Sequence, residues 1–524
     1  MWGHWFQRPS ICSTIPLRAS AWARRCGPRS GSSTARTPSP RPIPSSMAGI
    51  FPQPPKVRSK MAGIGFALSK LRNQNNLAGH SIATGHAIMI TAGPWIVIMI
   101  GLALISWLGG PLVGVEMTTT FRVLVIYCFA LSLVVTAPIA LELNLRVSAE
   151  LFERRFERVH GIYIGALAAA ALITVALAWV LFFVVIRLDM PTATAATFCV
   201  LQVSLLWLTM SMVAAIRQYV TVTTGFTMGL SVSVVLGLSL AGLGYGVAGL
   251  LAGFGAGLFL AFAILHGLIV QTFPGRVRRL TDGIAALIAH PMRSRTFAIA
   301  GISSALAVWI DKLVVWQSYE ATSIAHGLIH APRYDVPMFI AYLSIVPLMS
   351  IVSIWLETDF FTAYRKYRDI VHSGGTLRHI DAQRAAITWQ TTNTIFSAFV
   401  IQITISLVLA LTGPWIVGFL GLGLETLQVL RFALIGAAFH FLFLACVGVI
   451  LFVQYARAYF VLQAAFLILN GGLTYVLLAN PDALGLGYVI ATGAAAILAY
   501  GVMVNTLQVM NRLTFIDNNP AVAG

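Results

Sequence analysis

The stretch 247–273 reads VAGLLAGFGAGLFLAFAILHGLIVQTF and contains no Asp, Glu, Lys or Arg. A transmembrane helix needs about 20 predominantly apolar residues, so this stretch is long enough to cross a bilayer. The chain of 524 residues is apolar on average, with 58% hydrophobic residues, 10% charged residues and a mean hydropathy of +0.84. Soluble domains carry about 25% charged residues. The composition therefore excludes a soluble enzyme and predicts a polytopic membrane protein.

Eleven further stretches are similar to 247–273 in length and apolar character. The sequence therefore predicts an all-α fold of about twelve transmembrane helices. The twelve predicted spans lie near residues 84–107, 121–142, 161–186, 195–216, 222–243, 247–273, 297–318, 336–356, 387–411, 427–453, 457–478 and 484–508. The two longest loops between them, 274–296 and 357–386, are too short for a nucleotide-binding domain.

The positive charge of the chain is unevenly distributed. The formal net charge is +17, and residues 1–60 hold ten basic residues and no acidic ones. Of the 24 basic residues that follow, 19 lie in loops on one side of the predicted membrane, four lie on the other side, and Lys312 lies inside a span. Because basic residues are enriched in cytoplasmic loops, this sorting predicts that both termini are cytoplasmic. Membrane topology therefore explains the positive charge, so the charge does not indicate nucleic acid binding.

The first sixty residues form a different kind of sequence. They are rich in Arg, Ser and Pro, so they cannot bury a packed core and are predicted to be a disordered extension. This composition is typical of a transit peptide. The alternative, which we favour, is translated upstream DNA before a misplaced start codon. Met47 and Met61 each open Met-Ala-Gly-Ile, and we expect Met61 to be the natural start, followed by a short interfacial helix.

The sequence offers no pattern for a metal or cofactor. The five cysteines have neither metal-site nor redox spacing. His326 and His330 have the spacing of a helical metal pair, but Gly327 stands where a His-Glu-x-x-His motif has its Glu. We therefore expect no cofactor, no metal ion and no catalytic residue, and we expect a protein that is not an enzyme.

Three segments indicate a family. MAGIGFALSKL at 61–71, TAGPWIV at 91–97 and WIDKLVVW at 309–316 together resemble the Pel exopolysaccharide inner-membrane exporters, the PelG family of the multidrug, oligosaccharidyl-lipid and polysaccharide flippase superfamily. The resemblance implies two lobes of six helices each, here 61–290 and 291–524. It also implies export of a cationic amino-sugar polymer across the bacterial inner membrane.

The same resemblance implies partners. They are the cytoplasmic Pel glycosyltransferase PelF, the membrane assembly and cyclic di-GMP-sensing proteins PelE and PelD, the polysaccharide itself and membrane lipids. Three alternatives remain open from the residues alone. One is a multidrug or lipid-linked oligosaccharide flippase of the same superfamily. Another is a membrane glycosyltransferase, which would need a sugar-nucleotide or lipid-phosphosugar site. The third is a membrane scaffold that transports nothing.

Asp311 and Lys312 are the leading site candidates because they interrupt an apolar span. A charge inside a span costs several kcal/mol unless it is paired or faces water. Neighbouring residues on a helix do not face each other, so we expect these two side chains to have different partners. One interpretation is a cavity charge that contacts the sugar or couples to protons. The other is an ion pair between helices that orients the bundle.

Six further residues are candidates for the transport path. Trp309 and Trp316 flank the charged pair, and sugar rings stack on aromatic faces, although tryptophans are also typical of the membrane interface. Pro94 is expected to kink the first span. Gln390 and Asn393 make the ninth span unusually polar, and Glu142 ends the second span near the cytoplasmic side. A solvated helix end is the favoured explanation of Glu142, because a carboxylate at the interface costs little.

Overall fold

The computed structural model describes residues 98–152, 155–216, 219–275, 280–288, 291–324 and 327–517. The predictions made for the N-terminal extension, for the start at Met61, for the interfacial helix and for Pro94 lie outside the described residues.

The first half of the described chain is entirely helical. Its helices are α1 (Ile98–Val113), α2 (Val115–Phe152), α3 (Phe156–Trp179), α4 (Met190–Ile216), α5 (Tyr219–Leu240), α6 (Gly246–Thr272) and α7 (Leu280–Ile288). A π-helical turn, Val180–Val185, extends α3, so this helix covers the third predicted span except its last residue.

The second half adds one small hairpin to a further set of helices. The elements are α8 (Pro291–Val315), β1 (Thr322–Ile324), β2 (Leu328–His330), α9 (Pro332–Trp355), α10 (Phe361–His372), α11 (Leu377–Leu411), α12 (Gly413–Phe419), α13 (Thr426–Phe452), α14 (Ala456–Leu477) and α15 (Leu486–Gln508). The two strands are antiparallel, with Thr322 opposite His330 and Ile324 opposite Leu328.

The described helices confirm the predicted fold class, an all-α polytopic membrane protein. Ten described segments are long and apolar enough to span a membrane, and one of them, Thr221–Thr272, contains both α5 and α6. The chain reverses between these two helices at Gly244 and Gly246, whose φ values of 97° and 50° suit glycine. With α1, which overlaps the first predicted span, each predicted span coincides with a helix.

Glycine explains how α5 and α6 pack so closely. A Cβ atom on Gly253 would collide with the backbone of Gly237, and one on Gly257 would collide with the backbone of Gly229. Small residues allow membrane helices to approach at backbone distance, where van der Waals packing replaces the hydrophobic effect. The Gly-rich composition of the sixth span is therefore a packing feature.

The segment after the eighth span differs from the prediction. We expected a loop at 357–386, but α10 follows α9 through a π-helical turn, Leu356–Phe360, and α11 begins at Leu377. Helix α10 alternates buried tyrosines, Tyr364 and Tyr367, with exposed basic residues. This pattern is too polar for a transmembrane span but suits an amphipathic helix. The apolar criterion used for spans misses such helices.

Buried apolar side chains form two clusters, one in each half. The first contains residues between Ile105 and Leu287 together with Leu328, and the second contains residues between Ala300 and Leu513. The halves meet where α2 packs along α8. There Gly301 has no side chain, and a Cβ atom on it would lie 2.9 Å from the Cα of Pro138. The boundary near residue 290 stays a prediction.

Candidate functional site

The charged pair lies near the end of α8 and is closed off from solvent. Asp311 is 0% exposed and Lys312 is 7% exposed. The ammonium of Lys312 donates to both carboxylate oxygens of Asp311 at 3.2 Å and to the carbonyl of Val308 at 3.0 Å. The expectation that these neighbours have different partners was therefore wrong. The long lysine chain curls back along the helix, because two separated charges in an apolar interior would cost more than one pair.

A tyrosine from the next helix completes the coordination of Asp311. The hydroxyl of Tyr334, in the first turn of α9, donates to Oδ2 of Asp311 at 2.9 Å. The carboxylate is thus hydrogen-bonded from its own helix and from a neighbouring helix. In this conformation it contacts no solvent, and the geometry is that of an ion pair inside the second half.

Aromatic rings line the other side of the ammonium. The Nζ atom of Lys312 lies 4.7 Å from the ring centre of Tyr342 and 5.7 Å from that of Trp309. Both distances fall within the range of cation–π attraction, which strengthens when the cation is desolvated. Tyr334 and Tyr342 are eight residues apart, about two helical turns, so one face of α9 presents both to the pair.

Behind Tyr342 lies a buried histidine. Nδ1 of His440 is 2.9 Å from the hydroxyl of Tyr488, and the rings of Tyr342 and His440 pack edge to face at 5.5 Å. Nε2 of His440 and Nε1 of Trp309 are buried, and neither has a hydrogen-bond partner among the described residues. From the sequence, His440 could be a residue of a proton-coupled carrier or a hydrogen-bonded packing histidine, of which packing is the more common. The three tyrosines, Tyr334, Tyr342 and Tyr488, were missed. The signal available was polar aromatic residues at helical spacing.

A second polar group lies one helical turn beyond Lys312. The indole nitrogen of Trp316 donates to both oxygens of Asp335, at 3.1 and 3.0 Å, and the amide of Ala331 donates to Oδ2 at 2.9 Å. The ring of Trp316 stacks on Tyr127 of α2, with centroids 5.0 Å apart and planes inclined by 15°. Trp316 was a candidate from sequence, whereas Asp335 and Tyr127 were missed.

The remaining described candidates lie outside this cluster. Glu142 forms an ion pair with Arg146, one turn further along α2, at 2.7 Å. On α11, Asn393 is exposed and Gln390 is partly exposed, and neither amide has a hydrogen-bond partner among the residues that the structure describes. Trp389, beside Gln390, is 71% exposed. The hydrogen bonds described above do not connect any of these residues to Asp311.

Comparison with protein families decides the assignment. The model of the exopolysaccharide exporter family PelG (EPS-E) matches residues 61–515. The chain belongs to the PelG family. The matched region begins at Met61 and contains the charged pair, its tyrosine partners and His440. No significant match was found among curated proteins.

Solved structures with the same fold are transporters. An outward-facing multidrug resistance MATE transporter of the MOP superfamily aligns with a TM-score of 0.55 at 14% identity, covering 81% of this chain and 96% of its own. A mutant of the Vibrio cholerae MATE transporter VcmN aligns at 0.55 and 12% identity, covering 84% and 98%. A MOP superfamily transporter from Pyrococcus furiosus aligns at 0.53 and 13% identity, covering 85% and 97%.

These comparisons establish the class of the molecule. At such low identity the structural likeness shows the fold alone, and the fold is that of MATE and MOP transporters. Together with the family, it identifies a multi-pass membrane protein of the exporter or flippase type. Both the family and the fold are those of transporters rather than of membrane glycosyltransferases.

Proposed function

We propose that this PelG-family chain exports a Pel-type cationic amino-sugar polymer from the cytoplasm across the bacterial inner membrane. The observation that carries the proposal is the family match over residues 61–515, on a fold shared with MOP transporters. The sorting of basic residues, 19 against four, supports cytoplasmic termini and therefore this direction of insertion.

We further propose that one face of α11 contacts the polymer. Trp389, Asn393 and Ser397 are exposed and follow each other at intervals of four residues. Hydrocarbon offers no partner for an amide, so an unpaired polar face inside a span favours a water-filled path over lipid. The exposed indole of Trp389 provides a flat surface for a sugar ring. Gln390 lies beside this face and extends it.

The ion pair has a different proposed role. Asp311 bonds to Lys312 on α8 and to Tyr334 on α9, so it holds these two helices together. Breaking such a buried pair by removing one partner typically costs about 3–5 kcal/mol. We assign the pair to coupling α8 to α9 during transport, because the bond from Tyr334 to Asp311 makes the two helices move together, and apolar replacements lose this bond even where they restore stability.

We propose that partner proteins bind on the predicted cytoplasmic side, where most of the basic residues lie. Helix α10 is held in place because the hydroxyl of Tyr367 donates to Asn511 at 2.9 Å. Arg365 and Lys366 point outward from it. This face is a candidate surface for the implied partners PelF, PelD and PelE. Anionic lipid is the alternative ligand, since clusters of basic residues near a span also attract acidic headgroups.

Deletion of the gene in a strain with an active Pel glycosyltransferase tests the proposal. Polymer should disappear from the medium and either accumulate in the cytoplasm or cease to be made, and the wild-type gene should restore secretion. Unchanged secretion after deletion would overturn the proposal. Drug sensitivity should be the same in both strains, whereas a multidrug exporter would change it.

The face on α11 is tested in the same strain. Trp389→Ala and Asn393→Ala should reduce secreted polymer several-fold while leaving the amount of membrane protein unchanged. Trp415→Ala is the matched control, because Trp415 is 84% exposed on α12, away from this face. Equal secretion by all three variants would remove α11 from the path.

A further inference from the structure

We propose that Tyr127 and Trp316, together with strand β2 of the hairpin, form a latch that closes the two halves at the outer end of the molecule, and that Tyr334 and Asp335 tie this latch to the Asp311–Lys312 pair. The inference rests on the proposed transport function. It adds the residues that would have to separate for the outer side to open.

The first argument is the position of the contact. Helices α2 and α8 carry the seam between the halves. They run in opposite directions, because Tyr127 meets Trp316 whereas Pro138, later in α2, meets Gly301, earlier in α8. Tyr127 lies in the first third of α2, and Trp316 directly follows the end of α8, so they meet at the same end of the seam. In the predicted orientation this is the end with few basic residues, which is the outer side.

The second argument is that Tyr127 makes three contacts across the seam. Its ring stacks on Trp316 at 5.0 Å. Its hydroxyl donates to the carbonyl of Ile329 at 2.8 Å and accepts from the amide of the same residue at 3.3 Å. Ile329 belongs to β2, so a residue of the first half is bonded to the hairpin of the second half. Leu328, its neighbour, packs into the apolar cluster of the first half.

The third argument is the connection to the buried charges. Tyr334 and Asp335 are adjacent in α9. Tyr334 donates to Asp311 at 2.9 Å, and Asp335 accepts from Trp316 at 3.0 Å. Trp316 itself lies four residues after Lys312, and its amide donates to the carbonyl of Lys312 at 2.8 Å. A shift of α9 relative to α8 must therefore disturb the charged pair and the latch together.

The strength of these contacts suits a latch. One aromatic stack and two hydrogen bonds at a partly exposed site can break and re-form, because water replaces hydrogen bonds lost there. Near the other end of the seam, Gly301 lies against Pro138 at backbone distance, where no side chain needs to move. The outer contact is therefore the one built from side chains that can rotate away.

Spin-label distances across the seam test the latch directly. Nitroxide labels are placed at Met117→Cys and Tyr319→Cys, both exposed near the outer end of the two halves. The full chain is used, with Cys12 and Cys26 replaced by Ser, because Cys128, Cys199 and Cys446 are buried. The distance distribution is measured by pulsed electron resonance in phospholipid nanodiscs without polymer.

The wild type should show mainly the short distance of the closed latch. Trp316→Leu should increase the population of a longer distance about tenfold, and Tyr127→Phe, which keeps the ring and loses both hydrogen bonds, should give a smaller increase. Trp415→Leu is the matched control and should leave the distribution unchanged. An unchanged distance distribution in both Trp316→Leu and Tyr127→Phe would overturn the latch. If Trp316→Leu fails to fold, an unchanged distribution in Tyr127→Phe alone overturns it.

A separate variant tests the connection between the latch and the charged pair. Tyr334→Phe should shift the same distance, although the hydroxyl of Tyr334 bonds to Asp311 and not to Tyr127 or a described hairpin residue, whereas Tyr475→Phe, at an exposed tyrosine, should not. A distribution unaffected by Tyr334→Phe would overturn the connection while leaving the latch in place. Because no polymer is present in the assay, these outcomes stay separate from those of the export test.

Discussion

The two halves of the molecule contain the same small polar motif in different surroundings. In the first half the hydroxyl of Tyr163 lies 3.2 Å from Nδ1 of His266 and 3.0 Å from Thr209. In the second half the hydroxyl of Tyr488 lies 2.9 Å from Nδ1 of His440. Among the residues that the structure describes, only the second motif is joined, through the ring of Tyr342, to a buried ion pair.

This difference separates a half that is held together by neutral contacts from a half whose stability depends on paired charges. The first half combines a neutral network with glycine-mediated helix contacts, both of which hold without charge. The second half contains charges whose stability depends on having the correct partners, because an unpaired charge in an apolar interior is far more costly than an unpaired hydroxyl. We therefore expect perturbations of the second half to have the larger effects, and the predictions below test this ranking.

The largest effect is expected for Lys312→Ala. The variant leaves Asp311 buried without its cation, and the free energy of unfolding should fall by about 3–5 kcal/mol. Chemical unfolding in detergent micelles measures the change. The double variant Asp311→Leu with Lys312→Met is the control and should recover most of this stability, since apolar replacements of a buried pair are often neutral. A double variant as unstable as the single one would contradict the ion-pair account.

The next effect is expected in the first half. Gly253→Ala places a Cβ atom against the backbone of Gly237, and overpacking of this kind costs about 1–3 kcal/mol. Gly472→Ala adds the same atom in open space and should be neutral or slightly stabilising. Thermal unfolding of the two variants compares them. Equal melting temperatures would mean that α5 and α6 do not pack as closely as described.

A pair of tyrosine variants compares the halves most evenly. Tyr334→Phe removes a hydrogen bond to a charged group, which is worth about 1.5–3 kcal/mol. Tyr163→Phe removes neutral hydrogen bonds, which average about 0.6 kcal/mol in a membrane protein. Unfolding free energies of both variants test the ranking. A larger loss for Tyr163→Phe would reverse the comparison.

The smallest effect is expected for the pH dependence of stability that His330 in the hairpin produces. Burial, and then the nearby charge of Arg122, lower the pKa of His330 in the folded protein. Because the unfolded histidine has the higher pKa, this residue stabilises the fold least when it is protonated. Stability should therefore decrease as the pH falls below the unfolded pKa of about 6.5. His330→Gln should show a smaller loss of melting temperature between pH 7.5 and 5.5, and an identical loss would contradict the assignment.

The sequence predicted most of the fold because a bilayer imposes a length and an apolar composition on each helix. The same rule failed at α10, whose buried Tyr364 and Tyr367 alternate with charges. Asp311 and Lys312 stand out in the sequence because charges are rare in spans, and their part in transport stays a prediction. Their mutual bond was not predictable, because it depends on how a lysine chain bends. Tyr127 was missed because its partner Ile329 is 202 residues away in the sequence. Asp335 was missed because no sequence pattern pairs it with the indole of Trp316, 19 residues earlier.

The measurement that tests the account most directly is secreted polymer per amount of membrane protein in the deletion strain. It compares the folded double variant Asp311→Leu with Lys312→Met against Tyr163→Phe. We predict that the double variant secretes at least about tenfold less polymer, equivalent to roughly 1.4 kcal/mol, while Tyr163→Phe secretes as the wild type does. Full secretion by a stably folded double variant would contradict the claim that the charged pair of the second half serves export.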